Sequence, residues 1–278
     1  MLREAGVDEP RRTAGSLLQH ALGVDRAHLL ARDDQVLSEN DFQNFIRLVN
    51  RRAGREPLQY VAGHQEFFGL DFKVTPDVLI PRPETEHLVE RVLSLSRKDA
   101  ALQSRGPLIA DVGTGSGCIA VALAVSIPES RVLAIDISPG AIQVARYNAE
   151  AHSVGDRIEF LEGDLLAPLE GRELEGKLDF IVSNPPYVPD ADIDHLQREV
   201  RCHEPRVALS GGRQGLDFYR RLLDESPAYV KQRGYLVCEI GFSQLDCIRD
   251  LIASPPWELI EVTADLQGIP RTLTIQRT

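Results

Sequence analysis

An α/β fold is what this sequence predicts: a mainly parallel sheet covered by helices on both faces, preceded by a smaller helical domain. Three observations lead there. From about residue 76 onward, short apolar runs alternate with amphipathic helical patterns, the grammar of strand-helix-strand units. A glycine-rich turn, Asp111-Val112-Gly113-Thr114-Gly115-Ser116-Gly117, follows the first of those runs and leads into an uncharged helical stretch. Residues 1 to about 62, in contrast, space their leucines and aromatics at helical intervals and lack strand-like alternation.

The N-terminal elements come first. Leu17, Leu18, Ala21 and Leu22 form one stripe after Pro10, which suits the first helical position because the N–H it lacks would have no partner there. Ser38 is a candidate N-cap; Phe42, Phe45, Ile46 and Val49 follow at i, i+3, i+4 and i+7, and Gly54 ends the helix. The run from Phe67 to Val74 alternates around Gly69, as a short hairpin would. The chain therefore divides into a helical N-terminal domain, residues 1–75, ending in a hairpin linker, and a larger domain, residues 76–278. In the larger domain strands are expected at 108–112, 132–137, 158–161, 178–183, 235–240, 259–262 and 273–276. Helices are expected at 84–95, 118–126, 139–152, 215–230 and 242–253. The connection 188–214 shows no clear periodicity and is a candidate lid or binding loop.

The composition excludes several classes. With 278 residues, 43% hydrophobic and 26% charged, the chain is neither collagen-like, nor a disulfide scaffold, nor wholly disordered. It carries 31 Lys+Arg against 42 Asp+Glu, and residues 1–75 alone carry 10 against 11. Neither domain is basic, so nucleic acid is not expected as a direct partner held by bulk electrostatics. Cys118, Cys202, Cys238 and Cys247 form no C-x-x-C pair and read as buried free thiols of a cytoplasmic protein. The N-terminus lacks the apolar core of a signal peptide. The longest uncharged apolar stretch, 118–127, is shorter than the about 20 residues a membrane-spanning helix needs.

The glycine turn implies a nucleotide-like cofactor, since it lets a ligand approach main-chain N–H groups at a helix N-terminus. A dinucleotide fingerprint requires a third glycine where Cys118 stands, so the G-x-G-x-G pattern departs from the NAD reading. The second strand ends in Asp136, placed to accept hydrogen bonds from both hydroxyls of a ribose. The third ends in Gly163-Asp164-Leu165, an acceptor for an exocyclic amino group followed by an apolar side chain for an adenine face. Singly, the turn is also a plain structural turn and each carboxylate a solvated strand end. In combination, ribose and adenine without a phosphate-binding addition describe S-adenosylmethionine.

The fourth strand runs into Asn184-Pro185-Pro186-Tyr187. Open α/β sheets bind ligands beyond the carboxyl ends of their strands, which places this loop beside the glycine turn. The Asn184 side-chain oxygen and the Pro185 carbonyl are two acceptors able to hold both hydrogens of a planar NH2 group, and Tyr187 adds a flat face. An amide or aryl-amino nitrogen is a poor nucleophile, because its lone pair is delocalised and no side chain deprotonates it at neutral pH. Geometry must substitute for basicity. Accepting both hydrogens aims the lone pair at a sulfonium methyl and stabilises the positive charge that develops, an effect on the order of 7 kcal/mol or more. No metal or Ser-His-Asp arrangement is required, and His64, His87, His195 and His203 read as surface or core residues.

These motifs resemble the protein-(glutamine-N5) methyltransferases that modify peptide-chain release factors, the HemK/PrmC family. The resemblance spans nearly the whole chain. It rests on Asp111 to Gly117, Asn184 to Tyr187, and Leu79-Ile80-Pro81-Arg82-Pro83-Glu84-Thr85-Glu86, with further likeness at Glu204-Pro205, at Ala208-Leu209-Ser210-Gly211-Gly212 and at Cys238-Glu239-Ile240-Gly241. It implies a class I S-adenosylmethionine-dependent methyltransferase, Rossmann-like with a seven-stranded sheet, behind a small helical domain that recognises the substrate. The implied reaction methylates the glutamine of the Gly-Gly-Gln motif in class 1 release factors 1 and 2, with S-adenosylhomocysteine as product, by a monomer that needs no membrane. On matching positions, Asp111, Gly113, Thr114, Gly115, Ser116, Gly117, Asp136, Asp164, Leu165 and Asn184 bind the cofactor. Asn184, Pro185, Pro186 and Tyr187 hold the glutamine.

Leu165 stands where some relatives place an aromatic, which implies weaker cofactor binding. Pro83 and Glu84 suit a helix start, Arg82 a pocket rim, and Glu204 and Glu239 the loops around the site; none has a mechanism readable from sequence. Rival readings are a glutamine methyltransferase acting on a ribosomal protein and an exocyclic-amino methyltransferase of DNA or RNA, the latter disfavoured by charge. From other classes, an NAD-dependent oxidoreductase lacks its third glycine, and a non-catalytic binding module leaves the NH2 clamp without a use.

Overall fold

In the computed structural model, residues 1–31, 34–253 and 255–278 are described. Arg32 and Asp33, inside the region read as helical, lie outside the described residues. The chain forms two compact units, Met1–His64 with Leu196–His203, and Gln65–His195 with Glu204–Thr278.

The smaller unit is helical: α1 (Pro10–Leu22), α2 (Arg26–Ala31), α3 (Glu39–Ala53), α4 (Leu58–Ala62) and, from far along the chain, α9 (Arg198–His203). Ser38 caps α3 as its sequence predicts, its hydroxyl accepting the Asp41 N–H at 3.1 Å. Leu17, Leu48, Val49 and Val61 pack with Leu2 and Val7 into the core of this unit. The Glu199 carboxylate on α9 accepts from Arg52 at 3.0 Å and Arg55 at 2.9 Å, so both of its oxygens are charge-paired.

A hairpin follows in the chain, β1 (His64–Phe67) and β2 (Leu70–Lys73), then α5 (Glu86–Lys98) and α6 (Ala100–Arg105). A seven-stranded sheet follows, built from β3 (Leu108–Val112), β4 (Arg131–Asp136), β5 (Ile158–Glu162), β6 (Leu178–Ser183), β7 (Val230–Glu239), β8 (Trp257–Ala264) and β9 (Pro270–Arg277). Its order is β5-β4-β3-β6-β7-β9-β8, parallel except for β9, which runs antiparallel between β7 and β8. The chain winds outward from β3 to β5 and returns to β6, so the strand order reverses between β3 and β6. A crevice at that reversal is where such sheets bind ligands.

Burial on both faces explains the apolar runs. Every residue of β6 is buried, with Phe180 and Val182 packing against one face layer and Leu178 and Ile181 against the other. Helices α5, α7 (Cys118–Ser126) and α8 (Pro139–Ala151) supply the first layer, and α10 (Asp217–Glu225) and α11 (Leu245–Leu251) the second.

Several expected elements differ. The helix expected at 215–230 ends at Glu225, and the chain is already in β7 at Val230. The polar run Lys231-Gln232-Arg233-Gly234 hides that strand, whose pairing comes from Leu178 of β6 opposite Val230. The helix expected at 242–253 starts only at Leu245, because the Gln244 side chain folds back to accept the Gly241 N–H at 3.0 Å. The connection 188–214 is ordered into 3-10 turns at Asp190–His195 and Arg206–Ala208 around α9. Cys118 and Cys238 are buried as expected, but Cys202 and Cys247 are exposed.

Candidate active site

The crevice beyond β3 and β6 is a pocket lined by Gly113, Thr114, Gly115, Ser116, Asp136, Asp164, Leu165, Asn184, Pro185 and Pro186 among others. Two stretches that the sequence links only by motif therefore share one cavity. Asp111, Gly117 and Tyr187 do not line it.

The glycine turn is held by main-chain bonds. Gly113, Gly115 and Gly117 adopt φ of 73°, 55° and 80°, the left-handed region that side chains disfavour. The N–H groups of Gly113 and Thr114 both donate to the Ile135 carbonyl at 2.9 Å, tying the turn to β4. Beneath it Asp111 is fully buried; its Oδ2 accepts the Thr114 hydroxyl at 2.6 Å and the Ala120 N–H at 3.2 Å, while Oδ1 has no partner. Burial pushes its pKa up to about 7. Asp136 takes the Gly115 N–H at 2.8 Å on one oxygen and the Ser138 N–H at 2.9 Å on the other. Burial raises its pKa as well, despite those bonds. Each oxygen keeps a lone pair for a ligand hydroxyl.

Asp164 lines the pocket together with Asp136. Both of its oxygens accept from Arg221, at 3.1 and 2.9 Å, so the carboxylate is already bound in a fork. Leu165 is buried with φ 48° and lines the pocket.

The charge of the lining bears on which cofactor fits. Asp77, Asp136 and Asp164 are its carboxylates, and Arg82 is the only Lys or Arg among the described lining residues. A pyrophosphate would meet three acids and one base. An adenosine carrying a sulfonium cation meets a complementary field and an acceptor pair for its ribose. The residues present thus fit S-adenosylmethionine.

Asn184 follows β6 directly, and the register Ser183 opposite Cys238 sets it beside Glu239 at the end of β7. Asn184 Nδ2 donates to Thr85 Oγ1 at 3.1 Å, and Thr85 Oγ1 donates to Glu239 Oε2 at 2.6 Å. The Tyr187 hydroxyl donates to the other oxygen of Glu239 at 3.2 Å. Glu239 is 2% exposed, and burial raises its pKa. The loop is also pinned from behind, since Gln244 Nε2 donates to the carbonyls of Tyr187 at 2.9 Å and Gly215 at 3.1 Å. Gly211 has no room for a side chain: a Cβ there would stand 2.8 Å from Pro186 O and from Tyr187 Cα.

The Ile80-Pro81-Arg82 segment gains a structural account. The buried Glu204 carboxylate accepts the Ile80 N–H at 3.2 Å and pairs with Arg82 at 2.5 Å, holding the guanidinium at the pocket wall. The sequence assigns Glu204 and Glu239 to the loops around the site without a mechanism, and it does not mark Thr85 and Gln244 as site residues. Thr85 had a signal, its place in the Leu79 to Glu86 motif; Gln244 had none.

Residues 1–63 match the PrmC N-terminal domain family, and residues 96–236 match the methyltransferase small domain family. The release factor glutamine methyltransferase of Geobacter sulfurreducens is 44% identical over 272 residues, covering 98% of this chain and 91% of that one. That of Moorella thermoacetica is 47% identical over 250 residues, covering 90% and 85%. That of Bacillus subtilis is 40% identical over 277 residues, covering 98% and 92%. Solved structures share the fold at lower identity. A methyltransferase from Pyrococcus furiosus aligns with TM-score 0.54 at 19% identity, covering 82% of this chain and 98% of that one. The N-terminal domain of human METTL16 in complex with SAH aligns with TM-score 0.53 at 20% identity, covering 75% and 76%.

Proposed function

This chain belongs to the family of release factor glutamine methyltransferases, and from that premise we propose that it methylates side-chain N5 of the Gly-Gly-Gln glutamine in class 1 release factors 1 and 2. It is an S-adenosylmethionine-dependent enzyme acting on a release factor glutamine. One observation carries the finer reading: Asn184, Pro185 and Pro186 line the same pocket as Gly113, Gly115 and Asp136. The chain's charge, -11 overall, argues for a protein substrate over nucleic acid. Among the described residues no helix is long and apolar enough to cross a membrane. The reading includes a monomer acting in the cytoplasm, with residues 1–75 recognising the release factor.

When bound, S-adenosylmethionine supplies an electrophilic methyl carbon on a sulfonium, and S-adenosylhomocysteine is the product. The residues of this chain do the rest. Asp136 would accept from the ribose hydroxyls, Leu165 would pack against the adenine, and the glycine turn would let the main chain approach. Asn184 Oδ1 and the Pro185 carbonyl accept the two hydrogens of the glutamine NH2. The nitrogen lone pair is thereby left to face the methyl donor, and the positive charge that develops on nitrogen is met by two acceptors. The proton it sheds goes to water.

Mass spectrometry of purified release factors incubated with the enzyme and S-adenosylmethionine tests the proposal. The expected result is one added methyl group on the Gly-Gly-Gln glutamine. No increment there, or transfer to a ribosomal protein instead, would overturn it.

A further inference from the structure

We propose that Glu239, acting through Thr85, is a positioning residue that sets which end of the Asn184 amide faces the substrate; this rests on the reading of Asn184 as an acceptor for the glutamine NH2. The two ends of a carboxamide have nearly the same size and opposite chemistry, Oδ1 accepting and Nδ2 donating. Packing does not distinguish them. Only the polarity of a partner does.

That polarity is set two residues away. Glu239 as a carboxylate has no hydrogen to give, so the hydroxyl hydrogens of Thr85 at 2.6 Å and Tyr187 at 3.2 Å both point at it. With its only hydrogen committed, Thr85 Oγ1 has lone pairs alone to offer Asn184 at 3.1 Å. Nδ2 must take that side, which turns Oδ1 away from Thr85. No bond to Oδ1 from another side chain or main-chain group is found among the described residues, and Asn184 lines the pocket. The acceptor end is therefore the end left for a ligand.

The components come from three separate parts of the larger unit: the 3-10 turn Pro83–Thr85, the end of β6 and the end of β7. Thr85 is 2% exposed, as is Glu239, so bulk water does not supply a substitute partner. A glutamine at position 239 has one acceptor oxygen where two hydroxyls need one each. If its NH2 faced Thr85, the threonine hydrogen would swing toward Asn184 and favour the reversed amide.

The test compares Thr85→Val, Thr85→Ser and Glu239→Gln with the unaltered chain. The expected result is a fall in kcat of at least about tenfold for Thr85→Val and Glu239→Gln, with recovery in Thr85→Ser, which keeps the hydroxyl. Cofactor affinity by calorimetry stays near its original value. A second readout needs no substrate: hydrogen exchange of the Asn184 Nδ2 group, followed by NMR of the full chain, should speed up at least about tenfold in Thr85→Val and not in Thr85→Ser. Unchanged exchange and kcat in Thr85→Val would overturn the proposal, as would a loss confined to cofactor affinity. If the unaltered chain fails to methylate release factors, the proposed function falls, and the exchange experiment still decides the orientation claim.

Discussion

The glycine turn and the Asn184 loop face one pocket and are held by different means. The turn is a contiguous stretch whose shape comes from main-chain bonds to Ile135 and from glycines with positive φ. The loop is contiguous only in its prolines. Its orientation comes from side chains far away in the chain: Thr85 lies 99 residues from Asn184, and Glu239 lies 52 from Tyr187. A site that binds a cofactor common to many enzymes can be written locally. A site that must aim one amide needs supports brought together by the fold, because an amide's direction depends on the polarity of its neighbours.

The largest effect that would sharpen this comparison lies under the turn. Asp111 titrates in the folded chain near 7, above the ordinary carboxylate value. A raised folded-state pKa means that the stability contributed by the neutral carboxyl is fully present below the unfolded value and is lost as pH rises through about 7. Urea denaturation should therefore show the native chain losing on the order of 4 kcal/mol more than Asp111→Asn between about pH 4 and about pH 8. Comparing the two proteins removes the same-signed contributions of Asp136 and Glu239. Identical pH dependence in both would show that the turn does not rest on a strained acid.

Next comes Asn184→Ala. It should lower kcat about 100- to 1,000-fold while leaving cofactor affinity in calorimetry nearly unchanged. A matching loss of affinity would break the division of labour between the two halves. The smallest effect is expected from Asp136→Ala, which should weaken cofactor affinity about 10- to 100-fold through loss of charge-assisted bonds. Turnover at saturating cofactor should stay close to the original, and a collapse of kcat there would show that the two halves are coupled.

Much of the fold was legible because its signals are local. The 108–112 and 178–183 strands and the 118–126 helix match the observed elements residue for residue, since apolar runs bounded by turns name buried strands and helices. The N-terminal half of β7 was not legible, because residues 231–234 are polar or glycine and only pairing with β6 makes that stretch a strand. The same holds in the site. The acids at 136 and 164 look alike at strand ends, yet Asp136 binds the turn and Asp164 is bound by Arg221, 57 residues later.

By itself, then, the sequence determined the alternation of strands and helices, the glycine turn after β3, the capped helix at Ser38 and the proline-bracketed loop. Each depends on residues within a few positions of one another, where backbone preferences and hydrogen-bond reach act directly. Only the tertiary structure decided that Glu204 anchors Arg82, that Gln244 pins Tyr187, and that Glu239 and Thr85 orient Asn184. Those partners are adjacent because parallel strands share a register and two loops converge on the sheet's carboxyl edge, and strand register is a property of the assembled sheet rather than of any one segment.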